Sequence, residues 1–224
     1  SEGCKYLGHV VSAEGICPDP AKTEVVVSYP VPASAKEVKQ FMGLCNYYRR
    51  FVKDYSKIAS PLFKLLSKEN AKSFTWNSAS QNAFEELKSR LVSPPILAYP
   101  DFKLPFLLQT DASDTAIGAV LSQVQEGTER VIAYWSRKLQ KAERNYSTTE
   151  REALAVVASL KEFYPYVYGF PCKLITDHNP LTSLIRLKDV GGRLTRWLLF
   201  LQQFNLDFQY KPGRLHTNAD TLSR

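Results

Sequence analysis

The stretch Gln109-Thr110-Asp111-Ala112-Ser113 decides how the second half of the chain folds. Apolar runs precede it at 104–108 and follow it at 117–121, which predicts two buried strands with a polar turn between them. A carboxylate at the end of a buried strand is costly unless something compensates its charge, because it loses its hydration there. Either a cation lies beside Asp111, or Asp111 caps the turn.

Three further acids occupy similar places downstream. Asp177 ends a short apolar strand pattern, and Asp220 lies near the start of the last predicted helix. Glu152 lies one turn into a helix that Ser147 and Glu150 open as a capping box. Four carboxylates in one pocket repel each other unless cations neutralise them, and oxygen-only ligands suit Mg²⁺ or Mn²⁺. From spacing alone, each acid could equally be a cap or a surface residue.

The length and net charge of the chain limit the number of domains and the kinds of partner it can have. The chain has 224 residues, enough for one large domain or two modest ones. Its net charge of +7 favours a polyanionic partner such as nucleic acid, although a merely soluble basic protein has the same balance. No apolar run approaches the ~20 residues that a membrane span needs, so we expect no membrane partner.

The cysteines and the first residues concern the cellular context. Cys4, Cys17, Cys45 and Cys172 form no C-x-x-C pair, which favours reduced thiols in an intracellular compartment over zinc or disulfides. The chain begins at Ser1 without an initiator Met, and we interpret it as a piece of a longer polypeptide.

The first half is mostly helical by pattern. Residues 4–17 predict a short hairpin around a Glu-Gly turn. A helix follows from about 21, and further helices are predicted at about 35–52, 59–66 and 78–91. Prolines at 94, 95 and 100 place a boundary between 92 and 101.

The helix predicted at 35–52, with Ser34 and Glu37 as its capping box, has two different sides. One side is apolar and faces a core: Val38, Phe41, Met42, Cys45 and Tyr48. The other side is basic and aromatic, and carries Lys36, Lys39, Gly43, Tyr47 and Arg50. Its glycine would let another backbone approach closely. The alternative is a solvated helix face that happens to be basic.

After the boundary the pattern is α/β. Strands are predicted at 104–110, 116–123, 131–136, 173–176 and 206–210. Helices are predicted from 147, near 180–187, at 193–204 and from 218. This order indicates a mixed sheet with helices around it.

Several motifs of the second half closely resemble the ribonuclease H domain of gypsy-type LTR-retrotransposon Pol polyproteins. They match that family in order and spacing: Thr110-Asp111-Ala112-Ser113-Asp114, Tyr134-Trp135-Ser136-Arg137-Lys138-Leu139, Asn145-Tyr146-Ser147-Thr148-Thr149-Glu150-Arg151-Glu152, Thr176-Asp177-His178 and Asn218-Ala219-Asp220-Thr221-Leu222-Ser223-Arg224. In the first half, Tyr6-Leu7-Gly8-His9 resembles the primer-grip hairpin of these reverse transcriptases, and residues 38–51 resemble the thumb helix that follows the primer–template minor groove.

The resemblance implies a fold and a division of the chain. The fold would be a ribonuclease H-like mixed five-stranded sheet flanked by helices, preceded by a small, mostly helical thumb with a short β-hairpin. Residues 1–20 would be the end of the palm, 21–72 the thumb, 73–100 a connecting helix and linker, and 101–224 the ribonuclease H domain.

The resemblance also implies an activity: a metal-dependent endonuclease that hydrolyses the RNA strand of RNA–DNA hybrids during reverse transcription. Two Mg²⁺ (or Mn²⁺) ions would be held by Asp111, Glu152, Asp177 and Asp220, with Asp111 and Glu152 bridging them. The nucleic-acid-binding residues would be Leu7, Gly8, His9, Lys39, Gly43, Tyr47, Arg50 and His216. His216 could contact substrate or carry a proton, or it could simply buttress its loop.

The implied partners are an RNA–DNA hybrid or primer–template and the rest of the Pol polyprotein, namely fingers, palm and integrase. The implied location is a cytoplasmic particle or the nucleus. Polymerisation is not expected of this piece, since it contains no Tyr-x-Asp-Asp motif. Two alternatives remain. One is a non-catalytic hybrid-binding or structural module of a reverse transcriptase. The other is an integrase or transposase, whose Glu comes last among the acids, whereas here it comes second.

Overall fold

The structure is a computed structural model that describes residues 3–67, 74–176 and 192–210. The chain forms two compact units. Unit 1 comprises Ser1–Tyr99 and Arg130–Lys138, and unit 2 comprises Pro100–Glu129 and Leu139–Arg224. The division into palm end, thumb, connection and ribonuclease H domain stays a prediction.

Unit 1 begins with a three-stranded antiparallel sheet in place of the predicted two-stranded hairpin. Its strands are β1 (Cys4–Tyr6), β2 (His9–Ser12) and β3 (Gly15–Pro18), in that order. The predicted turn before Gly15 is present, but the apolar run 6–11 is interrupted at Leu7 and Gly8, whose φ angles are 46° and 74°. Two successive positive φ values are typical of the two-residue type I′ hairpin turn. A leucine rarely adopts this conformation, so the sequence pattern did not reveal the turn.

The helices of unit 1 agree in part with the pattern, since the one predicted at 35–52 is shorter and the one predicted at 78–91 is one residue longer. They are α1 (Pro20–Val27), α2 (Ala35–Tyr47), a 3₁₀ helix (Arg49–Phe51), α3 (Tyr55–Ile58), α4 (Ser60–Leu65) and α5 (Ser78–Val92). α2 ends early because the Tyr48 N–H turns back to the Cys45 carbonyl at 3.1 Å, an i→i−3 bond that tightens the last turn. The helix predicted at 59–66 is present as α4, whereas the short helix α3 just before it was not predicted. Pro61, which has no N–H to continue α3, lies at the start of α4.

The core of unit 1 lies between α2, the short helices and α5. The apolar side predicted for α2 is confirmed, because all five of its residues are buried. Phe41 of α2 and Phe84 of α5 are each fully buried, with ring centroids 4.6 Å apart. Such large apolar side chains contribute most to the stability of a small unit.

The five-stranded mixed sheet that was predicted is confirmed. Its strands are β4 (Phe106–Ala112), β5 (Ala116–Gln125), β6 (Thr128–Lys138), β7 (Pro171–Thr176) and β8 (Asn205–Tyr210), in the order β6-β5-β4-β7-β8. β4 is antiparallel to β5 and parallel to β7, and β7 is parallel to β8. β4 is therefore the central strand, and its end carries Asp111.

The helices of unit 2 include α6 (Thr148–Glu162), α7 (Tyr164–Val167) and α8 (Gly192–Leu201), with a 3₁₀ helix at Glu143–Asn145. α6 packs against β4 and β5, and buries most of its surface from residue 152 to residue 160. The helices predicted near 180–187 and from 218 lie outside the described residues. Across the described ranges, none of the helices has the length and apolar character needed to span a bilayer.

Candidate functional site

Asp111 is the next-to-last residue of the central strand β4, opposite Gly118 of β5, and it is exposed. The segment that leads into β4 is anchored by the fully buried side chain of Gln123. The Gln123 amide donates to the carbonyls of Asp101 and Leu104 at 2.8 and 3.0 Å, and its oxygen accepts from the Asp101 N–H. This buried amide holds the start of the strand that carries Asp111.

The turn after Asp111 is closed by Ser113. The Ser113 hydroxyl accepts from the Ala116 N–H at 3.0 Å and donates to the Ala116 carbonyl at 2.9 Å, while the Ser113 N–H donates to the same carbonyl at 2.8 Å. The capping role that the sequence left open for Asp111 is thus taken by Ser113. Asp111 is left at the rim of the sheet, where its carboxylate can face a ligand.

Glu152 lies in the second turn of α6 and is only 5% exposed. Because α6 packs on β4 and β5, this carboxylate is buried on the helix that covers the strand of Asp111. Burying an acid is costly, and buried carboxylates in proteins are balanced by partners or cations. Carboxylate oxygens are the donors that Mg²⁺ and Mn²⁺ prefer, so Asp111 and Glu152 fit the predicted ions chemically.

Glu150 has a structural role, as the sequence predicted. It accepts hydrogen bonds from the Ser147 N–H at 2.9 Å and the Ser147 hydroxyl at 3.0 Å, and the Ser147 hydroxyl oxygen accepts from the Glu150 N–H. The capping box is therefore complete. Burial by itself raises the pKa of Glu150, but the bonds from Ser147 and the charge of Arg193 outweigh it and hold that pKa below its usual value.

Arg193 of α8 makes contacts that the sequence did not predict. Its guanidinium lies 4.0 Å from the ring centroid of Tyr146 and 5.6 Å from that of Trp197, and it donates to Glu150. The ion pair joins α8 to the first turn of α6, just before Glu152. No local pattern predicts it, because the partners are 43 residues apart.

Asp177, Asp220 and His216 lie outside the described residues. Thr176, the residue before Asp177 in the sequence, is the last residue of β7, and β7 runs parallel to β4. Within the described ranges 3–67, 74–176 and 192–210, no three His, Cys, Asp or Glu side chains are grouped to hold a metal ion. Convergence of the four acids stays a prediction.

In unit 1 the tip of the hairpin is joined to the end of α2. The hydroxyl of Tyr47 donates to the Leu7 carbonyl, and that of Tyr48 donates to the Gly8 carbonyl at 3.0 Å. The His9 ring packs against Tyr47, Tyr48 and Phe51, with centroids 5.4 to 5.7 Å apart. The sequence placed these residues in two separate motifs, and the fold combines them into one surface.

The basic side of α2 is exposed along its length. Lys39 and Gly43 are exposed, and Tyr47 is 54% exposed although its hydroxyl is bonded. A methyl group added at Gly43 would meet no atom within 4 Å. Glycine inside a helix costs about 1 kcal/mol relative to alanine, and nothing packed against Gly43 in the described chain requires it. Arg50 follows in the 3₁₀ helix, with its guanidinium 5.8 Å from the Phe51 ring. Nucleic-acid contact by this surface stays a prediction.

Known proteins identify the class of a stretch that includes α5, most of the five-stranded sheet and α6. Residues 76–175 match the model of the RNase H-like domain found in reverse transcriptase. A foamy viral protease–reverse transcriptase, solved in complex with an RNA/DNA hybrid, superposes with a TM-score of 0.76 at 22% identity. The match covers 94% of this chain and 29% of that one, and it shows a shared fold.

The family follows from sequence. The chain is 43% identical to the Retrovirus-related Pol polyprotein from transposon opus and 41% identical to that from transposon gypsy, both from Drosophila melanogaster. These matches cover 98% and 100% of the chain. The chain belongs to the gypsy-type retrotransposon Pol polyproteins and carries their reverse transcriptase RNase H-like domain. It spans 23% and 22% of the length of these two relatives.

Proposed function

We propose that unit 2 is a metal-dependent endonuclease that hydrolyses the RNA strand of RNA–DNA hybrids during retroelement reverse transcription, while unit 1 grips the nucleic acid. The observation that carries this proposal is the placement of the first two acids. Asp111 ends the central strand of the sheet, and Glu152 is buried on the helix that packs over that strand. Two acids on packed elements at one end of a sheet are suited to sharing a cation.

The metal-holding residues would be Asp111 and Glu152, joined by Asp177 and Asp220. Mg²⁺ or Mn²⁺ ions held by these carboxylates would supply activation of a water and stabilisation of the leaving oxygen of a phosphodiester. The protein itself contributes the fixed positions of the carboxylates. Asp111 is held by a strand anchored through Gln123, and Glu152 by a helix whose first turn is capped by Ser147 and Glu150.

Selectivity for a hybrid would come from groove shape and RNA 2′-hydroxyls rather than from base identity. The surface of unit 1 supports this part of the proposal. Lys39 and Arg50 supply positive charge for phosphates, and Gly43 leaves space for a close backbone approach. Leu7, Gly8 and His9 form the neighbouring hairpin tip, which the Tyr47 and Tyr48 hydroxyls hold in place. An RNA/DNA hybrid is also the nucleic acid bound to the foamy viral protease–reverse transcriptase that shares this fold.

The test is cleavage of an RNA–DNA hybrid labelled on the RNA strand, with Mg²⁺, by the 224-residue chain and its Asp111→Asn and Glu152→Gln variants. We expect both variants to lose cleavage by at least roughly 100-fold, because the partners of metal ligands alone account for about 10–100-fold. Hybrid affinity, measured by fluorescence anisotropy, should stay close to that of wild type.

Glu162→Gln is the matched control, since Glu162 is an exposed residue at the other end of α6 and undergoes the same chemical change. It should cleave like wild type. If wild type binds the hybrid but does not cut it with either Mg²⁺ or Mn²⁺, the nuclease assignment is wrong.

A second candidate function is a non-catalytic hybrid-binding module. One observation favours it: the family match spans residues 76–175 and so ends before Asp177 and Asp220. The same experiment separates the two candidates, because hybrid binding without metal-dependent cleavage is what this module would give. Cleavage that depends on Asp111 and Glu152 would exclude it.

A further inference from the structure

We propose that the ion pair between Arg151 and Asp114 positions Asp111 and Glu152 relative to each other. This inference rests on the proposed function, since it concerns how two of the four acids are held for metal binding. Both partners lie close in sequence to an acid of the site. Arg151 directly precedes Glu152 on α6, and Asp114 follows Asp111 by three residues in the turn between β4 and β5.

The pair joins two segments that are distant in sequence. A guanidinium nitrogen of Arg151 donates to a carboxylate oxygen of Asp114, across 37 residues of chain. The pair therefore ties the turn that follows the first acid to the helix that carries the second. The catalytic acids themselves are not used in this contact.

The two side chains of the pair are buried to different extents, and the more buried one depends on the other. The Arg151 side chain is 14% exposed and that of Asp114 is 88% exposed. A guanidinium that has lost most of its water depends on its anionic partner, whereas a pair that is exposed on both sides contributes little. Loss of the Asp114 charge would leave the arginine poorly compensated, and we expect the turn and the helix to adjust.

Hydrogen bonds in both segments link the ion pair to the two acids. The turn is closed by Ser113 on Ala116, and the Thr115 carbonyl accepts from the Leu139 N–H at 2.9 Å. On the helix, the capping box fixes the turn that precedes Glu152. We therefore expect a shift at Asp114 or Arg151 to move Asp111 or Glu152.

The geometry also assigns Asp114 a role different from that of Asp111. Asp114 lies near the proposed metal site in sequence, but its carboxylate is engaged by an arginine. The arginine neutralises a charge that would otherwise add to the repulsion among the acids. Asp114 and Arg151 are therefore positioning residues and not ligands.

The experiment measures metal binding directly, by isothermal titration of Mn²⁺ into the 224-residue chain without nucleic acid. Asp114→Asn keeps the shape of the side chain and removes its charge, and since Asp114 is exposed the variant should fold. We expect Asp114→Asn and Arg151→Met to bind Mn²⁺ roughly tenfold more weakly, the effect typical of groups that orient metal ligands. Arg151→Lys, which keeps the charge, should recover part of the affinity.

A cleavage assay adds a readout that a general loss of stability would not give. At limiting Mn²⁺ the Asp114→Asn variant should cleave the hybrid several-fold more slowly than wild type, and at saturating Mn²⁺ it should approach the wild-type rate. Its melting temperature without metal should match that of wild type within a few degrees.

Glu86→Gln is the matched control, because it removes an ion pair, with Arg90 of α5, whose side chains are 55% and 45% exposed. This variant should bind Mn²⁺ like wild type. The doubly changed Asp114→Lys, Arg151→Glu chain reverses the pair, and recovery of Mn²⁺ affinity in it would support the positioning role.

The outcomes separate this inference from the proposed function. If wild type binds Mn²⁺ through Asp111 and Glu152 while Asp114→Asn and Arg151→Met bind it equally well, the positioning role is wrong and the nuclease assignment stands. If wild type neither binds Mn²⁺ nor cleaves the hybrid, both are wrong.

Discussion

The acid-bearing end of unit 2 is stabilised by one kind of contact, and the hairpin surface of unit 1 is stabilised by another. Around Glu152, two ion pairs and a capping box hold the first turns of α6. Around the Leu7-Gly8 turn, two neutral tyrosine hydroxyls and the tilted and edge-on ring contacts of His9 hold the structure instead.

This difference fits the two proposed tasks. A metal site needs carboxylates at fixed distances, and charged hydrogen bonds orient strongly over short ranges. A surface that follows a nucleic-acid backbone needs shape and exposed positive charge, which an aromatic platform and a basic helix provide. In unit 2 the supporting residues are separate from the proposed metal ligands, whereas in unit 1 Tyr47 both holds the turn and belongs to the exposed surface.

The largest expected effect is the loss of the core under α2. Phe84→Ala removes a fully buried ring that packs on Phe41, and should destabilise unit 1 by about 3–5 kcal/mol. Hydrogen exchange should show lost protection in α2 and α5, with Mn²⁺ binding retained. Equal loss of protection in α6 would contradict the separation of the two regions.

The next effect concerns the hydroxyls that hold the hairpin turn. Tyr47→Phe combined with Tyr48→Phe keeps the rings and removes both donors to the Leu7 and Gly8 carbonyls. Each bond should contribute about 0.5–1.5 kcal/mol, so the exchange of amides 7–9 should quicken and hybrid affinity should fall. Tyr166→Phe in α7 is a control outside this surface. Unchanged exchange at the turn would mean that these hydroxyls do not hold it.

A smaller effect is expected at Gly43, where one substitution should raise stability but lower hybrid affinity. Gly43→Ala meets no neighbour in the protein and should raise the stability of unit 1 by up to about 1 kcal/mol. If the glycine exists for close approach of nucleic acid, the same change should weaken hybrid binding. Thermal unfolding measures the change in stability, and fluorescence anisotropy measures the change in hybrid affinity. A more stable protein with undiminished affinity would remove Gly43 from the binding surface.

The smallest effect is the pH dependence of the α1 cap. The hydrogen bond and the charge of Lys5, together with the Ala21 N–H, hold the pKa of Asp19 below its usual range despite burial. A lowered folded-state pKa means that the contribution is fully present above the unfolded pKa of about 3.9 and is lost as pH falls through the folded value. Lys5→Met should therefore lower the folding stability near neutral pH. It should also make the loss of stability on acidification smaller than in wild type. Melting curves at a series of pH values test this, and an unchanged profile would mean that Lys5 does not stabilise the charged form.

Local signals predicted much of this structure. The capping box of Ser147 and Glu150 is complete, and the apolar spacing of α2 marks its buried side correctly. At the N-terminus of α2 only one of the two hydrogen bonds of the predicted capping box is present. Ser34 accepts from the Glu37 N–H, but the Glu37 side chain accepts from the Ala33 N–H rather than returning to Ser34. Caps and periodicity are contacts within a few residues, so a linear pattern records them.

The sequence by itself determined the family, the five strands of the mixed sheet, and the candidacy of Asp111 and Glu152, because these depend on composition, spacing and motif. Only the tertiary structure decided that Leu7 takes a positive φ under the hydroxyl of Tyr47, that Arg193 lies against the ring of Tyr146, and that Arg151 pairs with Asp114. These contacts span 37 to 47 residues of chain. Their energies exist only once the packed elements bring the partners together and exclude water, and a linear pattern carries no record of that.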